Sequence, residues 1–207
     1  VPKCLLVTSS SSGEGKSTTA LTLARNLAQL GKRVLLIDAD LRNPSLHRML
    51  GSENSVGLSN YLAGGIKPAA AIRPTKQLRL TFIPAGPLPP NPAELLAGPK
   101  LVSLLSLASE KFDQVIIDGP PVMGLADSPI LSNLASGTVL VVESGVTRVA
   151  MAKATVKRLA TARSHLLGAV LTKFDAKIAG YGYGGDYSSY HYYSYGGGDS
   201  KARLTHG

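Results

Sequence analysis

The sequence predicts an α/β fold in which a mainly parallel, twisted sheet is flanked by helices, and three observations carry that expectation. Short apolar runs of strand length alternate with segments of helical periodicity as far as about position 172. The first run, Cys4 to Val7, passes through a Ser/Gly stretch, Thr8 to Thr18, straight into a helical pattern. Two later runs end in Asp38 and Asp118, as buried parallel strands do when they deliver a side chain to the C-terminal edge of a sheet.

The stretch from Ser10 to Ser17 matches the phosphate-cradling pattern G-x-x-x-x-G-K-[ST] except at its first position, where serine replaces glycine. A strand, a tight loop and a helix N-terminus in succession bind phosphate, because inward backbone N–H groups and the helix dipole both favour negative charge. Ser12, Gly13, Glu14, Gly15, Lys16, Ser17 and Thr18 are therefore candidate nucleotide contacts, with Lys16 reaching the β- and γ-phosphates and the Ser17 hydroxyl ligating Mg²⁺. Ser10 is compatible with this if its φ need not be positive, since Gly13 and Gly15 still supply the close backbone approach. A plain Ser/Gly turn before an ordinary helix is the alternative, and the strand before and helix after argue against it. The fold expected is thus a P-loop NTPase.

The remaining elements follow in order. Ala20, Leu23, Ala24, Leu27 and Leu30 recur at helical spacing, and Gly31 stands where a helix stops. Arg33 to Asp38 reads as a buried strand; Ser45 to Leu50 and Leu58 to Leu62 read as short helices within an otherwise uninformative stretch to residue 76. Leu78 to Ile83 is a strand, Pro84 to Pro92 a rigid loop, and helices follow from about Ala93 and over Leu101 to Ser109. Lys111 to Asp118 is a strand, Ser128 to Leu134 a short helix, Thr138 to Val142 a strand, Val149 to Ala162 a helix and Leu167 to Thr172 the last strand.

At 207 residues the chain can bury a sizeable core. Residues 1–177 are expected to form one folded domain and 178–207 a flexible tail. No apolar run is long enough to span a bilayer, none resembles a signal peptide, and a start at Val1 rather than methionine suggests a piece of something longer. Cys4 is the only cysteine, which excludes an internal disulfide and fits a reducing compartment, and no Cys/His spacing suggests zinc. The formal charge of +9 allows an anionic partner, whether nucleotide, acidic lipid or nucleic acid. The basic segment carrying Arg148, Lys153, Lys157 and Arg158 reads as a solvated helix face or a contact for acidic lipid.

A P-loop site needs acids on neighbouring strand ends, and Asp38, Asp40 and Asp118 are placed to supply them. Asp118 is the expected Mg²⁺ acid; a turn acid before Gly119, Pro120 and Pro121 is its bland alternative. In the Asp38-x-Asp40 pair, Asp38 is assigned to the metal and Asp40 to accepting a proton from a hydroxyl nucleophile. The competing reading has one of the two merely pairing with Arg42 or capping a helix.

From Ile178 to Ser200 there is no Lys or Arg, and Tyr181, Tyr183, Tyr187, Tyr190, Tyr192, Tyr193 and Tyr195 account for seven of the chain's eight tyrosines. Such a composition cannot build a core, so disorder is expected, whether the segment serves as substrate, linker or self-associating low-complexity tract. An RNA-binding role is disfavoured because stacking aromatics work beside Arg or Lys, which this segment lacks.

The P-loop, the Asp38-x-Asp40-x-Arg42 segment, Asp118 and the tyrosine-rich C-terminus together resemble the bacterial tyrosine kinases of capsule and exopolysaccharide synthesis. The resemblance runs from residue 3 to about 195 and is most specific from Val34 to Pro44. It implies a protein-tyrosine kinase in which Lys16, Ser17 and Thr18 bind ATP·Mg²⁺, Asp38 and Asp40 serve metal and catalysis, and Asp118 completes the metal shell. Arg42 and Thr172 are assigned to the nucleotide in the same way. It also implies tail tyrosines phosphorylated by a neighbouring subunit of a homo-oligomeric ring, protein tyrosine substrates, a membrane-bound activator segment, fused or separate, and a place at the cytoplasmic face of the bacterial inner membrane, with no nucleic-acid partner. Three departures stand out. Ser12 occupies a position where family loops often have proline; Thr172 stands where many relatives have asparagine near the base; and the arginine-rich segment used in ring assembly would lie upstream of Val1. Thr172 to Asp175 also resembles a guanine-reading motif, although ATP is the nucleotide the whole pattern favours.

Two other functions share these motifs. A switch ATPase of the partition and cell-division-site type would carry a signature lysine five residues before the P-loop lysine, where this chain has Ser11. An inactive scaffold would bind nucleotide without transferring phosphate.

Overall fold

In the computed structural model, which describes residues 2–175, a seven-stranded sheet has the order β3-β4-β2-β5-β1-β6-β7. Its elements in chain order are β1 (Cys4–Ser9), α1 (Lys16–Gln29), β2 (Val34–Asp38), α2 (Leu46–Leu50), α3 (Leu58–Leu62), α4 (Pro68–Ala71), β3 (Arg73–Pro74) and β4 (Leu80–Ile83). There follow α5 (Pro92–Ala97), α6 (Pro99–Lys111), β5 (Gln114–Asp118), α7 (Asp127–Leu134), β6 (Gly137–Glu143), α8 (Val149–Thr161) and β7 (Leu166–Thr172). Every strand pairing is parallel except that of β3 with β4. The α/β expectation therefore holds. The antiparallel edge β3 and the one-turn α4 come from the stretch where the sequence pattern carries little signal. The tyrosine-rich segment, with the expectation of disorder attached to it, lies outside the described residues.

The central strands β1, β2 and β5 are buried along their whole length because both faces of the sheet are covered there, whereas the edge strand β7 is largely exposed. Alternate residues feed opposite layers: Leu6, Leu35, Ile37, Val115 and Ile117 join one cluster, Leu5, Val7, Val34, Leu36 and Ile116 the other. The first layer is closed by Leu96, Leu101, Leu104 and Leu131 of α5, α6 and α7. The second is closed by Ala20, Leu21, Ala24 and Ala28 of α1. Alanines four residues apart form a smooth stripe on that helix, which lets its backbone lie close to the strands. Gly31, at φ 85°, turns the chain out of α1 in a conformation that costs glycine nothing.

Strand register sets the site. Asp38 pairs with Asp118 across β2 and β5, and Asp118 pairs with Val7, the residue before the P-loop begins. The Ala39 N–H donates to Asp118 O at 2.9 Å and the Gly119 N–H to Val7 O at 2.9 Å, so three strand ends are tied into one edge. Among the described residues no helix is long and apolar enough to cross a membrane.

Phe82, fully buried on the β4 strand, packs in the α1 layer. Phe82→Ala is expected to lower the unfolding free energy by about 3–5 kcal/mol in a urea titration, through lost burial and the cavity left behind.

Candidate functional site

Gly13 and Gly15 take φ of 86° and 91°, which the turn into α1 demands. Thr19 N–H is the first to find a helical acceptor, Gly15 O at 2.9 Å. The preceding N–H groups are those that every helix leaves without an intrahelical partner and that an anion can take up. Ser10 has no positive φ, so serine is tolerated there. It is fully buried, and its hydroxyl accepts a hydrogen bond from Thr155 Oγ1 of α8 at 3.0 Å.

Glu14 points inward. Its Oε2 accepts the N–H groups of Ser10 and Ser11 at 2.7 and 3.0 Å, and its Oε1 accepts the Thr147 hydroxyl at 2.5 Å. The side chain thus braces the loop, and only the backbone of Glu14 remains for phosphate. Thr172 braces it too, donating to Glu14 O at 2.7 Å with its methyl group beneath Gly15. Lys173 donates to Gly13 O at 3.0 Å while paired with Glu143 at 2.9 Å.

Two of the three acids expected at the strand ends, Asp40 and Asp118, contact the P-loop lysine, and the third, Asp38, stands beside Asp118 in strand register. Lys16 Nζ lies 2.8 Å from Asp40 Oδ2 and 3.6 Å from Asp118 Oδ1, with only 9% of its side chain exposed. Ser17 Oγ is 3.3 Å from the same ammonium. Asp38 Oδ2 accepts the Leu46 N–H at the start of α2 at 3.1 Å, and Asp40 Oδ1 accepts the Asn43 N–H at 3.0 Å. The helix-capping alternative is therefore half true of Asp38, which spends one oxygen on α2. Its Oδ1 and both oxygens of Asp118 are buried without a hydrogen-bond partner.

Burial and the neighbouring Asp118 push the Asp38 carboxyl up to about 8, and burial pushes Asp118 up to about 6 against the pull of Lys16. For Lys16, burial disfavours the charged form, but the field of Asp118, Asp40 and Asp38 outweighs it and the net shift is upward. Three orphaned carboxylate oxygens beside a serine hydroxyl are hard donors that suit Mg²⁺. Among the described residues no three His, Cys, Asp or Glu side chains form a ready cation cage. Mg²⁺ at nucleotide sites needs none, because it keeps waters and phosphate oxygens in its shell.

Arg42 does not turn toward this cluster. Its guanidinium forks onto Asp127, the first residue of α7, at 2.8 and 3.2 Å, and Asp127 is fully buried. Neither Asp38 nor Asp40 is its partner. The cleft beside the P-loop, about 340 Å³, is lined by Ser12, Lys16, Ser17, Thr18, Asp40 and, across from them, Asn43, Ser45 and Met49. A larger cavity of about 500 Å³ lies between the end of β6 and α8; it is mostly apolar and carries one acid and one base, Glu143 and Lys153, rather than a cluster of carboxylates about a lysine, so chemistry rather than size marks the site. Sequence reasoning missed the far wall of the cleft and the Asp127 anchor. The only local sign of the latter was an acid at the start of a helix.

The chain matches the profile of the CobQ/CobB/MinD/ParA nucleotide-binding domain over residues 5–180. It is 45% identical over 184 residues to the tyrosine-protein kinase YwqD of Bacillus subtilis, covering 88% of this chain and 78% of that one. It is 34% identical over 191 residues to the tyrosine-protein kinase wzc of Salmonella typhi, covering 92% of this chain but only 26% of that longer protein. The kinase domain of the Escherichia coli tyrosine kinase ETK superposes with a TM-score of 0.78 at 31% identity, covering 83% of this chain and 69% of that one.

Arg42→Ala leaves a fully buried carboxylate without its fork and is expected to cost about 1–3 kcal/mol in a denaturant titration. A raised folded-state carboxyl pKa means that the native state holds its proton longer than the unfolded chain, so Asp38 costs stability as pH climbs from about 4 to about 8. In nucleotide- and metal-free protein, Asp38→Asn is expected to raise the thermal midpoint by a few degrees at pH 8, with the gain shrinking toward pH 4.

Proposed function

The chain belongs to the CobQ/CobB/MinD/ParA nucleotide-binding family and, within it, to the bacterial tyrosine-protein kinases, and we propose that it transfers the γ-phosphoryl group of ATP to tyrosines of its own C-terminal segment, in trans, and to other proteins. The observation that carries this reading is the convergence of Lys16 with Asp40 and Asp118 at a P-loop whose neighbouring carboxylates, Asp38 and Asp118, keep buried oxygens without a hydrogen-bond partner.

Lys16 reaches the β- and γ-phosphates by exchanging its contact with Asp40 for phosphate oxygens. That exchange frees Asp40 Oδ2 to accept the hydrogen of a tyrosine hydroxyl while Asn43 N–H still holds Oδ1 in place. The phenol oxygen then bonds to the γ-phosphorus, the bond to the β–γ bridging oxygen breaks with its electron pair leaving on ADP, and the phenolic proton passes to Asp40. A free tyrosine hydroxyl has a pKa of about 10, so positioning and partial proton removal are both needed. Ser17, Asp38 and Asp118 are the residues that would hold Mg²⁺, which supplies charge neutralisation on the phosphates when bound. Arg42 acts from outside the cleft, fixing the loop that carries Asp40 against α7. Thr172 supports the loop from below rather than reaching the phosphates.

About twenty residues separate Ala176 from Tyr195. As a coil such a segment spans roughly 25 Å and fully stretched about 70 Å, enough to reach a neighbouring site. Tyr181, Tyr183, Tyr187, Tyr190, Tyr192, Tyr193 and Tyr195 are the proposed acceptors. Following the family resemblance, we place the protein in a ring of identical subunits at the cytoplasmic face of the bacterial inner membrane. There, a membrane-bound activator segment, fused or separate, governs it in exopolysaccharide and capsule synthesis. Ser11, in place of a signature lysine, disfavours a partition-type switch ATPase.

Incubation of the chain with ATP·Mg²⁺ is expected to add several phosphoryl groups by intact mass, with a matching anti-phosphotyrosine signal. Lys16→Met should reduce the initial rate by roughly a hundredfold or more, and deletion of residues 178–207 should abolish self-labelling. Nucleotide binding without any mass gain would instead indicate a scaffold, and hydrolysis without phosphotyrosine a switch ATPase.

A further inference from the structure

The cleft does not end at its far wall. Met49 lines the P-loop cleft and also an adjoining groove of about 590 Å³ whose walls include Arg25, Gln29, Lys76 and Gln77. We propose that this groove receives the acceptor: an extended, acidic, tyrosine-bearing segment, residues 181–199 of a second copy, with its phenol ring seated on Met49. The proposal rests on the kinase reading above and deepens it by naming where the substrate chain lies.

Sheet order supports the assignment. The P-loop follows β1; Asp40, α2 and the β3–β4 turn bearing Lys76 lie on the β2 side of it, whereas Thr172 and Lys173 close the loop from the β7 side. The groove meets the cleft at Met49 on the Asp40 side and runs along α1 toward the opposite edge of the sheet, where Leu80, after the turn bearing Lys76, pairs with Val34 at the start of β2. Among the described residues Met49 is the only apolar side chain lining the P-loop cleft, and it is 40% exposed. A thioether beside an open cleft is a favourable seat for an aromatic ring. Its helix is also fixed with respect to the chemistry, because Asp38 accepts the Leu46 N–H at the start of α2.

Charge identifies the chain beyond the ring. Among the described residues the groove's lining holds two cations, Arg25 and Lys76, and no acid. The segment from Ile178 to Ser200 contains no Lys or Arg but carries Asp186 and Asp199. Asp186 adjoins Tyr187, and Asp199 is four residues from Tyr195, about 13 Å of extended chain. With Tyr195 in the cleft, the spacing to Asp199 matches the distance from Lys16 to Arg25, nine residues or about 13 Å along α1, and carries that acid toward the cationic walls.

The test uses the full chain with ATP·Mg²⁺ and a labelled synthetic peptide of residues 181–199, read by peptide phosphorylation rate and by peptide and ATP dissociation constants. Arg25→Glu and Lys76→Glu should each raise the peptide KM by roughly fivefold or more, with kcat and ATP affinity held. High salt should erode wild-type peptide binding but not that of the reversed variants. Met49→Ala should raise the peptide KM and Met49→Leu restore it, while Lys111→Glu, on α6, changes nothing. Should the Met49 variants misfold, the exposed Arg25 and Lys76 variants decide. A labelled peptide whose KM ignores both charge reversals overturns the groove alone and leaves the kinase reading intact. ATP affinity falling in parallel with peptide affinity also overturns it, because the groove would then belong to the nucleotide. Wild-type protein that neither binds nor labels the peptide overturns both the groove and the choice of acceptor.

Discussion

Two carboxylates, Asp38 and Asp118, sit side by side in strand register at the buried edge of the sheet, and a single ammonium, Lys16, faces them together with Asp40. Burial penalises each charge, and proximity penalises the pair further, so the acids hold their protons well above the ordinary carboxylate range. In the folded chain this arrangement is an electrostatic debt: three acids against one base, with three carboxylate oxygens lacking a hydrogen-bond partner. On the proposed reading, a bound cation would supply the missing positive charge, and a triphosphate would take over Lys16 from Asp40. The site's affinity for its ligands and its cost to the folded protein have one origin.

Much of the remaining structure keeps that charge cluster aimed at the P-loop. Glu14 is the clearest case: a carboxylate inside a phosphate-binding loop would repel its ligand if it faced outward. Here it is 3% exposed and spent on the N–H groups of Ser10 and Ser11 and the hydroxyl of Thr147. Thr155, Thr172 and Lys173 hold the same loop from α8 and from the end of β7. The loop's conformation therefore depends on the half of the sheet that lies away from the acids. Arg42 and Asp127 do the corresponding work on the acid side, tying the chain after β2 to the helix that follows the Asp118 loop. Phosphate cradle and acids are thereby held as parts of one edge.

Much of this was legible beforehand because it is local. A strand running into a glycine-rich loop and a helix, and acids at the ends of apolar runs, are patterns of neighbouring residues, and each run's period reports its own burial. The same reasoning placed Ser45 to Leu50 in a helix but gave no hint that Met49 would border the cleft. The family resemblance assigned Arg42 to the nucleotide, whereas in the folded chain its guanidinium forks onto Asp127, 85 positions along. Little in the stretch before Leu78 revealed the antiparallel edge strand either. A two-residue strand has too few side chains to show a period, and β3 is defined only by its bonds to β4.

The sequence alone determined most of the secondary structure outside the 63–76 stretch, the phosphate loop and the candidate acids, since those follow from steric and hydrophobic preferences acting within a dozen residues. Strand order was left to the tertiary structure. Crossover connections can place β5 beside β1 or far from it with the same local pattern, and only the packed sheet brings Val7, Asp38 and Asp118 into one register. The inward turn of Glu14, the pairing of Arg42 with Asp127 and the meeting of two cavities at Met49 all depend on that order. Each joins residues whose proximity exists only once the sheet has closed.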